Sequence, residues 1–246
     1  MLNERRGNMY NTITHTWNAI SGKCMHDCAY CYIKKWGHQR SLHIEQSEFN
    51  TDLGSNNVIF VGSGTDMFAN NVSPNWIVRI LDYCDKFDNH YLFQSKNPAN
   101  ILKYIDHPVF RKSELGTTIE TNRYYPTVMQ NAPFILERVD AMEIIAKRGV
   151  TTYVTCEPIM DFDLKSMVEL ICRCQPKRVF IGRNTWSNIS LPEPTNEQIA
   201  ALITTLRKIT NVELKKNVWE YHTFNPIINV RPNNRKESAV ICNTLI

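Results

Sequence analysis

Short apolar runs alternate with amphipathic segments along most of this chain. Runs rich in β-branched and aromatic residues predict strands, and apolar side chains three or four positions apart predict helices. The predicted strands lie at residues 12–20, 57–61, 91–94, 115–120, 150–155 and 178–182, with residues 212–216 as a late edge element. The predicted helices lie between them, at residues 74–84, 98–105, 135–148, 164–171 and 196–209.

Regular alternation of strands and helices implies parallel strands joined by right-handed crossovers. The count of six strand–helix units is below the eight of a closed (β/α)8 barrel. We therefore predict an α/β fold with an open, partial (β/α)6 TIM-type barrel of parallel strands, and a doubly wound sheet is the alternative. The barrel is expected to span residues 1–220. Residues 221–246 are expected to form a C-terminal extension that packs on the barrel or closes it.

Composition limits the class of protein. A chain of 246 residues that is 43% hydrophobic can bury one sizeable core. It contains no apolar run of about 18 residues, and its first six residues lack the apolar core of a signal peptide. We therefore expect a cytoplasmic protein, in a compartment where clustered cysteines serve as metal ligands or redox groups rather than disulfides. The net charge of +4 permits a nucleic-acid partner without requiring one.

Three of the eight cysteines lie within eight residues. Cys24, Cys28 and Cys31 form the pattern C-x3-C-x2-C, with Tyr30 directly before the last cysteine. Three thiolates on a short loop can bind one soft metal centre, but they do not complete a shell of four ligands. Two interpretations stay open here: zinc with His26 or His38 as a fourth ligand, and an iron–sulfur cluster with one iron free of protein. A c-type haem is excluded because Tyr32, not histidine, follows Cys31.

The segment Cys24–Cys31 resembles the C-x3-C-x-aromatic-C signature of the radical S-adenosylmethionine (SAM) superfamily, and as in that superfamily it follows the first predicted strand. Further stretches look like a phage-associated three-Cys-motif family related to spore photoproduct lyase. These stretches are Thr16–Asn18, Gly62–Phe68, Gln94–Pro98, Thr118–Arg123 and Glu157–Ile159.

The resemblance implies a cofactor and a type of reaction. Three thiolates would hold three irons of a [4Fe-4S] cluster, and the amino and carboxylate groups of SAM would chelate the fourth iron. The reduced cluster would cleave SAM to methionine and a 5′-deoxyadenosyl radical, which removes hydrogen from a substrate. The substrate is unidentified, and a nucleotide or nucleic-acid base is a candidate. An external electron donor such as flavodoxin or ferredoxin is a further expected partner.

The resemblance also implies roles for residues at the strand ends. The glycine-rich turn Gly62-Ser63-Gly64 would meet the amino group of SAM, with Asp66 as a possible acceptor. Arg123 would pair with the SAM carboxylate, although a solvated salt bridge is an equal alternative. Glu120 or Asn122 would bind the ribose hydroxyls of SAM, and Tyr30 would lie over the cluster. Glu157 is a further expected cofactor contact because of its position at a strand end.

Other residues have a functional and a structural interpretation. Cys156 could donate hydrogen to a substrate radical, as a cysteine does in spore photoproduct lyase, but a buried inert thiol is the alternative. Lys96 could neutralise an anionic substrate or simply be exposed. Asp161 and Asp163 are expected to cap the helix that begins near Leu164.

The basic and aromatic segment from Lys215 to Lys236 could bind a nucleic-acid strand or close the barrel. A zinc-stabilised nucleic-acid-binding module without catalysis is therefore the alternative function.

Overall fold

The computed structural model describes residues 1–5, 9–185 and 188–219. The C-terminal extension predicted at residues 221–246 lies outside these residues. The strands within them are β1 (Asn3–Glu4), β2 (His15–Trp17), β3 (Ile20–Ser21), β4 (His43–Ile44), β5 (Val58–Val61), β6 (His90–Gln94), β7 (Ser113–Thr118), β8 (Thr151–Cys156), β9 (Arg178–Ile181) and β10 (Asn211–Leu214).

Eight of these strands form one sheet in the order β1-β2-β5-β6-β7-β8-β9-β10. Strand β1 is antiparallel to β2, and every later pair in the sheet is parallel. Within the described residues β1 and β10 are edges, so the sheet does not close. The predicted partial barrel is thereby confirmed, with the late edge element as its seventh parallel strand.

Helices connect the parallel strands. The α-helices of the described ranges are α1 (Pro74–Asp85), α2 (Pro98–Ile101), α3 (Pro126–Met129), α4 (Ile135–Lys147), α5 (Leu164–Arg173), α6 (Asn196–Leu206) and α7 (Lys216–Trp219). Short 3-10 helices lie at Tyr32–Trp36, Gln46–Asn50, Leu102–Tyr104 and Pro108–Lys112. Helix α6 begins with a capping box, in which the Thr195 hydroxyl accepts from the backbone N–H of Gln198. No helix in the described part of the chain has the length and apolar character needed to cross a membrane.

The first predicted strand, residues 12–20, is shorter in the structure and is divided. It forms β2 and then β3, which leaves the main sheet and pairs with β4. Asn18 separates the two because its side chain accepts hydrogen bonds from Ser63 and Gly64 in the turn after β5. Strand β7 ends at Thr118, two residues before the predicted end, so Glu120 lies beyond the strand.

Alternate residues of the parallel strands face two different cores. One set, which includes Val154 and Ile181, packs in the core that also contains the apolar faces of the helices. The other set lies inside the curved sheet and comprises Phe60, Leu92, Tyr153 and Phe180 together with Tyr10 and Ile13 from the segment before β2. Tyr10 stacks on Phe180 with ring centres 4.0 Å apart, so the inside of the barrel is filled at this level.

Glu114 lies near the amino ends of the strands, away from the cysteine loop, and is almost fully buried. Its carboxylate accepts from Lys177 at 2.9 Å and from Arg178 at 3.0 Å, and His90 lies 3.5 Å away. Burial alone would raise the pKa of Glu114, but the hydrogen bonds from His90 and Lys177 and the charge of Arg178 outweigh it and lower the pKa to about 2.

This carboxylate predicts a pH-dependent stability. Because its folded-state pKa lies below the unfolded value, the stabilisation is fully present above about pH 4.5 and is lost as pH falls toward about 2. We expect Glu114→Gln to lower the free energy of unfolding by about 3 kcal/mol near neutral pH and by less near pH 3. Denaturant titrations at both pH values measure the difference, and an equal loss at both would contradict this account.

Candidate active site

The cysteine loop, defined as residues 22–31, lies over the carboxyl ends of the parallel strands. The carbonyl of Gly22 accepts from the hydroxyl of Thr65 at 2.9 Å, and the Tyr32 hydroxyl donates to the carbonyl of Ser63 at 2.6 Å. Gly22 has φ +103°, and a side chain there would overlap the backbone of Ser41. The loop is therefore attached at both ends to the turn after β5.

Asp66 holds the middle of the cysteine loop. Its carboxylate accepts from His26 Nε2 at 2.9 Å, the Ser95 hydroxyl at 2.8 Å, the Lys96 N–H at 2.8 Å and the Phe68 N–H at 3.0 Å. Since a carboxylate only accepts, Nε2 of His26 carries the proton. Burial would raise the pKa of Asp66, but the hydrogen bond and charge of His26 and the other donors lower it. Asp66 therefore joins the loop to the turns after β5 and β6, and the expected contact with the SAM amino group would have to compete with these protein partners.

Glu120 forms a second, fully buried network beneath the loop. It pairs with Arg138 of α4 through contacts of 2.9 and 3.1 Å, and it accepts a short hydrogen bond from the Tyr30 hydroxyl. Neither Glu120 nor Arg138 is exposed to solvent. The side chain of Tyr30 thus points into the protein. Glu120 has protein partners for its carboxylate, and its expected contact with the ribose hydroxyls stays a prediction.

The three cysteines of the loop are free thiols. Cys28 is buried in an apolar cluster with Tyr30, Val128, Met160 and Leu191, whereas Cys24 and Cys31 are partly exposed. Burial and the nearby Asp66 raise the pKa of Cys24 to about 12, against hydrogen bonds from the backbone N–H groups of His26 and Asp66. Among the described residues no three His, Cys, Asp or Glu side chains converge as for one metal ion.

The donor set fits an iron–sulfur cluster, which takes one thiolate per iron rather than three on one ion. The cationic side chain of Lys96 lies 5.2 Å from the ring centre of Tyr30, the residue directly before Cys31. The apolar side chains around Cys28 limit the access of water. The residues present therefore suit a negatively charged sulfur-ligated group.

Glu157 and Lys215 form an ion pair on the other half of the barrel mouth. Glu157 follows β8, Lys215 follows β10, and their charged atoms are 3.4 Å apart. Between them, at the end of β9, is Gly182, where a Cβ would lie 2.9 Å from Lys215 Cγ and 3.0 Å from Glu157 Cδ. Burial raises the pKa of Glu157 and lowers that of Lys215. Glycine at 182 leaves the space in which the two side chains meet.

Asn122 and Arg123 lie at the rim, where they bind the loop before α5. Arg123 pairs with Asp161 and, at 2.9 Å, with Asp163, and Asn122 donates to Asp163 at 3.1 Å. The solvated salt bridge considered for Arg123 is thus present. Asp163 occupies the position before α5, but its side chain makes no capping hydrogen bond, so the expected cap is replaced by these contacts.

The side chain of Cys156 faces away from the inside of the barrel. It is fully buried in the core between the sheet and the helices, on the same face of β8 as Val154. The neighbouring Tyr153 faces the opposite, interior side. Burial raises the pKa of the Cys156 thiol. A substrate at the mouth would meet the other face of the strand, so this position favours the buried inert thiol over a hydrogen donor.

Sequence reasoning missed two residues of the site networks, Arg138 and Gly182. Arg138 did have a signal, because it lies at helical spacing between Ile135 and Met142 on the apolar face of α4. A lone arginine on such a face requires a buried partner. For Gly182, at the end of a strand, the sequence contains no sign of the ion pair that crosses it. His26 was considered only as a zinc ligand, whereas it binds Asp66.

Comparison with known proteins rests on structure. No protein-family model matches the chain, and no curated protein matches it by sequence. A variant of spore photoproduct lyase with bound AdoMet and dinucleoside spore photoproduct superposes with a TM-score of 0.59 at 12% identity, over 81% of this chain and 63% of that one. Streptococcus suis SuiB bound to S-adenosylmethionine gives 0.55 at 9% identity, over 81% of this chain and 49% of that one.

Both neighbours are radical SAM enzymes. This chain has the radical SAM fold. A second spore photoproduct lyase structure superposes with a TM-score of 0.60 at 11% identity, over 91% of this chain and 67% of that one. The chain therefore spans about two thirds of spore photoproduct lyase and about half of SuiB. The resemblance drawn from the cysteine motif is confirmed at the level of the fold.

Proposed function

We propose that this chain is a radical SAM enzyme, in which Cys24, Cys28 and Cys31 hold a [4Fe-4S] cluster. The observation that carries the proposal is the position of the C-x3-C-x2-C loop, which lies over the carboxyl ends of the parallel strands of an open barrel. Chemistry in parallel α/β barrels is located at this end. When bound, the reduced cluster supplies the electron that cleaves SAM to methionine and a 5′-deoxyadenosyl radical.

The residues of the chain bind, orient and shield the cofactors. Asp66 and His26 hold the loop in place, and the apolar cluster around Cys28 excludes water from one side. The turn Gly62-Ser63-Gly64 remains the proposed contact for the SAM amino group. A Cβ on Gly64 would meet nothing within 4 Å, so a ligand can approach its backbone closely.

The substrate is proposed to be a nucleotide or a nucleic-acid base. Support comes from one structural neighbour, a spore photoproduct lyase variant that has a dinucleoside spore photoproduct bound. The Glu157–Lys215 pair, a hydrogen-bond acceptor beside a donor, follows the carboxyl ends of β8 and β10. An external electron donor such as flavodoxin or ferredoxin would reduce the cluster.

Anaerobic reconstitution tests the proposal. We expect protein treated with iron and sulfide, then with dithionite and SAM, to release 5′-deoxyadenosine, measured by chromatography. Cys28→Ala is expected to abolish this release, because it removes a ligand. Cys84→Ala is the matched control, since Cys84 is a free thiol in the helix-side core and should leave the release unchanged.

The opposite results are informative. An intact cluster that never cleaves SAM would refute the enzymatic proposal. Zinc without iron in anaerobically purified protein would favour the nucleic-acid-binding alternative.

A further inference from the structure

Two cations and one carboxylate meet beneath the cysteine loop. Glu120 is fully buried and is bound by the guanidinium of Arg138 at 2.9 and 3.1 Å. The third member of the contact, the Tyr30 hydroxyl, is neutral, because it donates its proton in the hydrogen bond to Glu120. Arg138 therefore already balances the charge of Glu120, and Lys96 is an additional positive charge at this place.

The ammonium of Lys96 makes no hydrogen bond to a carboxylate among the described residues, and its ion pair there is loose. Its nearest carboxylate oxygen is Oε1 of Glu120, at 4.0 Å, and no hydrogen bond joins the two. The Lys96 backbone N–H donates to Asp66, and that contact does not involve the ammonium. The side chain is only 18% exposed, and its Nζ lies 5.2 Å from the centre of the Tyr30 ring. A cation removed from water in this way is unfavourable unless negative charge compensates it.

The negative charge that would compensate the ammonium of Lys96 has to come from the side of the cysteine loop. The ring over which the ammonium lies belongs to Tyr30, which stands between Cys28 and Cys31 in the sequence. Tyr30 and Cys28 also lie in the same buried apolar cluster, against which Cys31 packs. Glu157 has its own cation in Lys215, 3.4 Å away. The ammonium of Lys96 thus lies against the part of the cysteine loop that carries two of the three proposed cluster ligands.

We infer that Lys96 is the counter-charge of the cysteine-bound cluster and that it raises the cluster's reduction potential. This inference rests on the proposed function. A four-iron cluster with three thiolates carries net negative charge, which increases on reduction, so a fixed cation beside the ligands stabilises the reduced form more than the oxidised form. Charges and hydrogen bonds around the ligand sulfurs are known determinants of such potentials.

The test is a redox titration of reconstituted protein, followed by the electron paramagnetic resonance signal of the reduced cluster and made without SAM. Omitting SAM removes any contribution from a contact between Lys96 and the carboxylate of SAM. Lys96→Met keeps the length of the side chain and removes its charge. At a fixed potential, we expect the ratio of reduced to oxidised cluster in Lys96→Met to be about tenfold lower than in wild type. For a one-electron couple, this corresponds to a reduction potential lower by about 59 mV.

Two further variants separate charge from shape. Lys96→Arg keeps the charge and should keep the potential of the wild type. Lys112→Met removes a half-buried lysine that binds the carbonyls of Asp85 and Phe87, outside the site, and should also leave the potential unchanged. An unchanged potential in Lys96→Met, or an equal shift in Lys96→Arg, would overturn the inference.

Iron content decides the remaining outcomes. If Lys96→Met loses its iron and Lys96→Arg retains it, the charge is required to hold the cluster, which supports the counter-charge role. If both variants lose iron, the shape of lysine is what matters and the inference fails. If the wild type forms no cluster, the proposed function fails and the inference fails with it. A wild type that cleaves SAM, together with an unshifted Lys96→Met, overturns the inference alone.

Discussion

Replacing Arg138 with methionine is expected to lower the free energy of unfolding by about 3–5 kcal/mol. The guanidinium is fully buried and also donates to the carbonyls of Thr118 at 2.9 Å and Pro133 at 2.8 Å. Methionine fills a similar volume but leaves Glu120 as a buried carboxylate with only Lys96, at 4.0 Å, and Tyr30 as partners. Denaturant titration measures the loss.

The effect should depend on pH. Burial would raise the pKa of Glu120, but Arg138 and Lys96 outweigh it and lower the pKa. The stabilisation by this pair is therefore present above the pKa of an unfolded glutamate, about 4.3, and is lost as pH falls. We expect the difference in the free energy of unfolding between wild type and Arg138→Met to become smaller at acidic pH.

Two controls accompany this prediction. Arg148→Met removes a 60% exposed arginine of a surface ion pair and should change the free energy of unfolding by less than about 0.5 kcal/mol. Adding Glu120→Gln to Arg138→Met removes the uncompensated charge and should recover part of the loss. If Arg138→Met were as stable as Arg148→Met at every pH, the buried ion pair would not stabilise the fold.

Replacing Asp66 with asparagine is the second change with a large expected effect. The carboxylate accepts hydrogen bonds from His26, Ser95 and the backbone N–H groups of residues 68 and 96. A side-chain amide has one oxygen and accepts at most two hydrogen bonds, so at least two buried donors lose their partner. Each such loss costs about 1–3 kcal/mol.

The cysteine loop should respond more than the rest of the fold. His26 lies between Cys24 and Cys28, and its Nδ1 has no hydrogen-bond partner among the described residues. Without Asp66, His26 is no longer held in place. We expect at least tenfold faster amide hydrogen exchange in residues 22–32, since each 1.4 kcal/mol is about tenfold. A chelator should also remove iron from the reconstituted variant faster than from wild type.

Asp82→Asn is the matched control for this change. Asp82 is 62% exposed on α1 and pairs with His107 at 3.1 Å, so its replacement should alter neither exchange in the loop nor iron release. Unchanged exchange of residues 22–32 in Asp66→Asn would show that other contacts suffice to hold the loop.

Local patterns were enough to predict most elements and to single out the cysteines that are proposed as metal ligands. Strand β5, helix α1 and the capping box of α6 follow from periodicity and capping within a few residues. The cysteine motif is equally local, because all three thiols lie on one short loop. The order of the parallel strands also followed, since successive strand–helix units place each strand beside the one before it.

Sequence patterns did not indicate which partners the charged side chains at the strand ends would bind. Asp66, Glu120 and Arg123 were expected to face SAM because they follow strands or lie in the turns at the mouth. Asp66 binds His26, 40 residues away, and Glu120 binds Arg138, 18 residues away, and the contacts of both with SAM stay predictions. A charged side chain near a buried mouth takes whichever opposite charge folding brings within reach, and that distance depends on how the helices and loops pack. The three clustered cysteines could thus be identified from the sequence, whereas tertiary contacts determine which charged groups surround them.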